Sequence, residues 1–251
     1  MKRIIIFGAS SGIGEALAKK YAGEGNKVFA CARRMDKLEQ LRNMFPDNIL
    51  TGSVDTSLPW EEEGTQYGES VRGEFNLMVE KLGGVDLVIY CSGVGKQNRN
   101  LDREIECSTI NVNVKGFTAV VASVVEYARK CSHNVQFATI ASVASVRGIS
   151  ISASYSATKM YQVRYMESMR QLAAIEKLNM NFTSILPGFI ATDFIKDRSY
   201  PLTMPLEHAV KRIKKAIDKK KNYKIVDWKW NIVVGLWKLI PNWLWYRLPI
   251  Q

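Results

Sequence analysis

Short apolar runs alternate along this chain with longer segments in which hydrophobic residues recur every three or four positions. The short runs, rich in Ile, Val, Phe and Leu, predict strands at 4–7, 27–30, 49–52, 85–90, 134–140, 181–186 and 223–226. Between them, 3.6-residue periodicity predicts helices at 12–24, 35–45, 69–82, 106–130, 154–177 and 206–220. Most strands, such as Ile4-Ile5-Ile6-Phe7, are apolar at nearly every position, as a strand must be when helices cover both of its faces. Alternating strands and helices with right-handed crossovers predict an α/β doubly wound sheet of about seven parallel strands. No repeat, Gly/Ser linker or composition shift interrupts the pattern, so one domain is expected over 1–226, followed by a C-terminal extension, 227–251.

The first strand runs into Gly8-Ala9-Ser10-Ser11-Gly12-Ile13-Gly14 and then a helix. Glycines at such a strand-to-helix turn allow a tight bend and close backbone approach, and the helix N-terminus favours negative charge, so the turn suits a pyrophosphate. By itself it also suits a plain flexible turn. The second strand ends in Ala32-Arg33-Arg34, where an acidic residue would grip the ribose hydroxyl of NAD. An arginine there suits the 2′-phosphate of NADP, with Arg33 the first candidate and Arg34 the second, against the plainer reading of two solvated residues.

Tyr155 and Lys159 stand four residues apart at a helix start, which puts both side chains on one face. A phenol with an ordinary pKa of ~10 is a poor base near neutrality, and an adjacent ammonium favours its ionised form. Upstream, Ser142 closes an apolar strand, where a hydroxyl faces the crevice at the carboxyl ends of a parallel sheet.

Taken in order, Gly8-x-x-x-Gly12-x-Gly14, Asn113-Val114-Lys115-Gly116, Ser142, Tyr155-x-x-x-Lys159 and Pro187-Gly188-x-x-x-Thr192 resemble the short-chain dehydrogenase/reductase family. The resemblance covers residues 3 to about 226. It implies a Rossmann-type fold and hydride transfer between a nicotinamide and a carbonyl or alcohol carbon. Tyr155 would protonate the carbonyl oxygen, Lys159 would bind the nicotinamide ribose, Ser142 would position the carbonyl, and Asn113 would hold a water of a proton relay. Gly8, Ser10, Ser11, Gly12, Ile13 and Gly14 would form the cofactor loop, and Asp55 would meet the adenine. Ser92 and Gly93 would lie along the cofactor, while Pro187, Gly188, Ile190 and Thr192 would surround the nicotinamide. Two positions depart from the family pattern: Phe7 stands where threonine is usual, and Tyr90-Cys91-Ser92-Gly93 replaces Asn-Asn-Ala-Gly, with Ser92 expected to restore part of the lost hydrogen bonding. The expected function is an NADP(H)-dependent oxidoreductase of an apolar or lipid-like ketone. The alternatives are an NAD(H)-dependent alcohol dehydrogenase and a catalytically silent cofactor-sensing scaffold. Homo-oligomerisation is part of what the resemblance implies.

Charge changes this picture only at the C-terminal end. The formal net charge is +11, and residues 206–251 hold +8 of it together with five of the six tryptophans. Lys229, Lys238 and Pro241 interrupt the apolar run there, so it is too short to span a bilayer, which takes ~20 apolar residues. Tryptophan beside lysine suits a membrane surface, and the same residues suit packing as a lid or a subunit interface. Nucleic acid is not expected as a partner, because the tryptophans sit in a hydrophobic run and not in a charged groove. Cys31, Cys91, Cys107 and Cys131 are dispersed and His133 and His208 isolated, which predicts neither disulfides nor a metal site. Cys91 reads as a small core residue. A reducing, cytoplasmic setting is expected, with any membrane association at the cytoplasmic face.

Overall fold

The computed structural model describes residues 1–57, 70–195 and 200–249. Residue 69 of one expected helix, residues 196–199 and the last two residues of the extension lie outside them. Seven strands, β1 Arg3–Phe7, β2 Lys27–Ala32, β3 Ile49–Ser53, β4 Leu87–Tyr90, β5 Val135–Ile140, β6 Met180–Leu186 and β7 Tyr223–Ile225, form one sheet in the order β3-β2-β1-β4-β5-β6-β7. Every neighbouring pair is parallel. The order reverses between β1 and β4, and the crevice outside the carboxyl ends of strands at such a reversal is where ligands bind in doubly wound sheets.

Period-two alternation decides which core each side chain joins. Ile4 and Ile6 of β1 pack with Leu17 of α1 (Gly12–Gly23) and with Ile213 and Ile217 of α7 (Leu206–Asp218), under α2 (Met35–Met44). Ile5 and Phe7 point the other way, into a layer with Phe75 of α3 (Val71–Leu82), Phe117 of α5 (Phe117–Arg129) and Met166 of α6 (Ala153–Ile175). Each fully buried large apolar side chain contributes about 1.5–3 kcal/mol. Both faces of the sheet are thereby covered.

The helix expected at 106–130 is longer and composite. It begins as α4 (Arg103–Ile110), capped by the Asp102 carboxylate, which accepts from Glu104 N and Ile105 N at 3.0 and 3.1 Å. It passes through a π-helical segment, Asn111–Gly116, before α5. Arg103–Arg129 is long and apolar enough to cross a membrane by composition, yet much of it is buried inside this domain.

Beyond β7, Asp227 caps α8 (Trp228–Leu239), its carboxylate accepting from Lys229 N, and α9 (Asn242–Trp245) follows. Trp230 and Val234 of α8 bury against Ala141, Val143, Leu186 and Ile225, forming a third apolar cluster at the carboxyl end of the sheet. The extension thus packs its inner face on the rim where β5 and β6 end.

Candidate active site

Two backbone approaches shape the turn after β1. A Cβ on Gly14 would lie 2.2 Å from the Gly8 carbonyl oxygen, and one on Gly8 would lie 2.6 Å from Ser92 N. Only glycine permits this fold of the chain, and Gly8 also takes a φ of +80°. Ser11 occupies the N-cap of α1 without capping a first-turn N–H, so those donors open at the mouth of the turn. On its far side, the Thr192 methyl stands 3.5 Å from where a Gly12 Cβ would lie, which brings the loop after β6 against the glycine turn.

The two arginines after β2 behave differently. Arg34 donates to Ser11 Oγ at 2.7 Å and to Ser10 Oγ at 3.0 Å, holding its guanidinium on the glycine turn. Arg33 is exposed and makes no hydrogen bond among the described residues. Asp55, two residues beyond β3, accepts from both the backbone N and the hydroxyl of Ser57 at 2.9 and 2.8 Å.

At the carboxyl end of β5, Ser142 accepts from Ala144 N at 3.1 Å. Its hydroxyl also reaches the Tyr155 phenol, and this hydrogen bonding pulls the phenol's pKa down while burial pushes it up by more. Lys159 sits one turn along α6, its Nζ 5.7 Å from the Tyr155 ring centre. The ammonium is buried, donating to Ile140 O at 3.0 Å and Gln162 Oε1 at 3.1 Å, and burial lowers its pKa to about 8. What lowers the phenol's pKa here is the Ser142 hydroxyl and not the expected lysine, and burial outweighs it. Desolvation pushes both groups toward their neutral forms.

Asn113 lies in the π-helical segment and is fully buried. Its side chain pairs with the main chain of Val94, accepting at 3.0 Å and donating at 2.8 Å, and it donates to Thr158 Oγ1 at 3.0 Å. Gln162 Nε2 donates to the Asn113 carbonyl at 3.0 Å, so one buried glutamine side chain joins that carbonyl to Lys159. The expectation here was a water held by Asn113 in a proton relay; the structure shows in addition the Gln162 side chain bridging Asn113 and Lys159. The sequence reading missed Gln162, although its place three residues after Lys159, one turn along the same face, was the available signal.

Both departures around the glycine turn find a common explanation. The rings of Phe7 and Tyr90 lie 6.1 Å apart, Tyr90 meets Phe117 edge-on at 5.4 Å, and the Tyr90 hydroxyl donates to Val112 O at 2.7 Å. An aromatic cluster and one phenol tie strands and π-segment together. The Ser92 hydroxyl makes no hydrogen bond among the described residues, and its backbone serves instead as the surface on which Gly8 rests. Gly93 faces the site, 3.2 Å from Lys159 Nζ to the place of a Cβ. Cys91 packs against the core, and burial pushes its thiol up to about 12, which leaves no nucleophile at neutral pH. His133 bonds Val85 O at the amino end of the sheet, and His208 is exposed.

After β6, the Pro187 carbonyl accepts from Val143 N at 2.9 Å, tying the two loops that flank the crevice. Ile190 turns inward to the core and pairs with Met204. Gly188 lies under the tail: a Cβ there would stand 2.0 Å from Trp230 Nε1. Trp230 meets Phe189 edge-on at 5.6 Å, and Phe189 stacks on Tyr200 at 4.1 Å. Arg147 fastens this roof by donating to Trp237 O at 3.1 Å, to Ile240 O and to Asn242 Oδ1 at 2.6 Å. Trp245 Nε1 donates to Gly148 O at 3.0 Å from the other side.

Residues 2–201 match the model of the short chain dehydrogenase family. The chain belongs to the short-chain dehydrogenase/reductase family. An oxidoreductase of Myxococcus xanthus is 30% identical over 244 residues, spanning 95% of this chain and 92% of the relative. A Dictyostelium discoideum protein described as dehydrogenase/reductase SDR family protein 7-like is 30% identical over 195 residues, 77% of this chain and 60% of its own. Among solved structures, a Burkholderia cenocepacia short chain dehydrogenase in complex with NADP superposes with a TM-score of 0.81 over 100% of this chain and 98% of its own, at 18% identity. A 3-ketoacyl-(acyl-carrier-protein) reductase from Brucella melitensis complexed with NADH gives 0.74 over 89% and 94%, at 19% identity. This short-chain dehydrogenase/reductase is an oxidoreductase with a nicotinamide cofactor and a small-molecule substrate, and its glycine turn fits that cofactor: the backbone is drawn tight, a helix mouth is open and an arginine lies beside it.

Proposed function

We propose that this short-chain dehydrogenase/reductase reduces an apolar ketone or aldehyde with NADPH. The observation that carries the reading is the convergence of Ser142, Tyr155 and Lys159 on the crevice beside the glycine turn. Bound nicotinamide supplies the hydride. Tyr155 donates its phenol proton to the substrate oxygen, and burial, by raising its pKa, keeps it protonated at neutral pH as a general acid must be. The Ser142 hydroxyl hydrogen bonds the same oxygen and orients it toward that proton. Lys159, charged below pH 8, holds the nicotinamide ribose and stabilises the phenolate that remains. Gln162 orients Lys159 and links it to the Asn113 carbonyl, on the side from which the proton is replaced.

Three features support the finer choices. No acid stands at the end of β2, where Arg33 and Arg34 follow Ala32, and Arg34 holds its guanidinium over Ser10 and Ser11, where it meets a 2′-phosphate with a charge-assisted bond; Arg33 stands beside it as a second cation. Gly8, Gly12, Ile13 and Gly14 present backbone to the pyrophosphate, Asp55 lies on the adenine side, and Ser92 and Gly93 flank the middle. Beyond Pro187, Gly188, Ile190 and Thr192, the roof of Phe189, Tyr200 and Trp230 is aromatic, which favours an apolar substrate.

Oxidation of NADPH across a panel of ketones and aldehydes tests the reading, with Tyr155→Phe as control. The variant is expected to lose about 10²-fold or more of turnover while keeping NADPH binding. Equal rates for the two proteins would sink the assignment of Tyr155. Arg34→Ala is expected to raise KM for NADPH about tenfold and leave that for NADH unchanged, and equal use of both cofactors by the wild type would overturn the NADP preference.

A further inference from the structure

Unlike an ordinary surface helix, α8 is apolar on both faces. Its inner face is apolar, as expected, but Trp228, Ile232, Leu236 and Leu239 on the outer face are 60%, 55%, 57% and 79% exposed. Their spacing of four, four and three residues gathers them into one stripe along the helix. At about 100° per residue, Lys229 and Lys238 fall on opposite flanks of that stripe. Trp243 and Tyr246 continue the exposed apolar surface past Pro241, and the Arg247 guanidinium lies 6.0 Å from the Trp243 ring centre.

This stripe has no place to turn inward. Trp230 and Val234 already fill the inner face, and Arg147 and Trp245 lock the end of α8 and the start of α9 to the loop after β5. Contiguous exposed apolar surface rimmed by polar groups marks a docking site. The rim here is cationic: among the described residues, Lys229, Lys238 and Arg247 have no carboxylate partner. A second copy docked by two-fold symmetry would set this rim against itself. An anionic bilayer meets it with opposite charge, and its headgroup depth accommodates tryptophan and tyrosine.

We propose that α8 and the turn after it lie flat on an anionic lipid surface. The stripe Trp228, Ile232, Leu236 and Leu239 enters the boundary between headgroups and acyl chains, while Lys229, Lys238 and Arg247 meet lipid phosphates. This binding does not depend on the reductase reading, because no residue of the stripe touches the crevice.

Flotation of the full chain with vesicles of phosphatidylcholine, with and without about one-third phosphatidylglycerol, tests it. The wild type is expected to float with the anionic vesicles and much less with the neutral ones, and about 1 M salt weakens the binding. Replacing Trp228, Ile232, Leu236 and Leu239 together by serine, or making Lys229→Glu with Lys238→Glu, is expected to lower the partition coefficient about tenfold or more without shifting the unfolding midpoint. A wild type that stays in the soluble fraction with anionic vesicles would overturn the proposal. So would a serine variant that floats as well as the wild type, or one that turns a dimer into a monomer in gel filtration while neither protein binds lipid.

Discussion

Lys159 carries a charge that burial opposes. Its pKa of about 8 in the folded chain lies below the ordinary 10.5, so between those values the unfolded chain binds more protons and folding gains from a rise in pH. Below pH 8 the burial penalty is present in full, and it fades as the pH climbs from there. Lys159→Met removes this slope: the excess of its unfolding midpoint over that of wild type should be largest below pH 8 and shrink steadily toward pH 10, in calorimetry across that range. A constant difference would show that the lysine is not desolvated. Gln162 acts on the same charge from its other side. With Gln162→Leu, the ammonium keeps one acceptor, Ile140 O, and the Asn113 carbonyl loses its donor. We expect kcat to fall about tenfold, with KM little changed and the alkaline limb of the pH–rate profile moved to lower pH. A merely structural role would leave that limb where it is.

At the scale of elements, the site is assembled by junctions. The π-helical segment between α4 and α5 takes the main-chain carbonyl of Asn113 out of ordinary helical register, where Gln162 can reach it. Nothing in the periodicity of 103–129 signals that segment, since one misplaced residue in a 27-residue apolar helix barely disturbs the pattern; the Asp102 cap places the helix start three residues before the expected 106. The junction of β6 with the tail is sterically exact in a different way. Gly188→Ala must displace Trp230, whose indole is held on Phe189 and Trp237, and overpacking of this kind costs about 1–3 kcal/mol. Urea unfolding of Gly188→Ala, Trp230→Leu and the double variant should show that the second change removes most of the cost of the first. Arg147→Ala frees the carbonyls at the end of α8, and limited proteolysis should then cut after 239 before it cuts the sheet.

For the molecule as a whole, the extension belongs to the fold by its inner face. Truncation after residue 226 uncovers Ala141, Val143, Leu186 and Ile225 at the mouth of the crevice, so both the unfolding midpoint and turnover should fall, whereas serine substitutions on the exposed stripe should change neither. The seven-stranded parallel sheet and its helices follow from sequence alone, and so does the choice of Ser142, Tyr155 and Lys159 as the proposed set, because these rest on local periodicity and on side chains whose chemistry requires fixed spacing along one element. Sequence likewise suffices for the glycine turn, where steric necessity is written into single residues. Tertiary structure alone decides that Arg34 and not Arg33 lies on that turn, that Tyr90 ties β4 to the π-segment, that Gln162 fills the link to Lys159 and that Trp230 covers Gly188. These contacts join residues from 22 to 49 positions apart, or three apart through a buried face, and their energies come from desolvation and packing. Such quantities depend on everything that surrounds a side chain, which no local pattern of residues encodes.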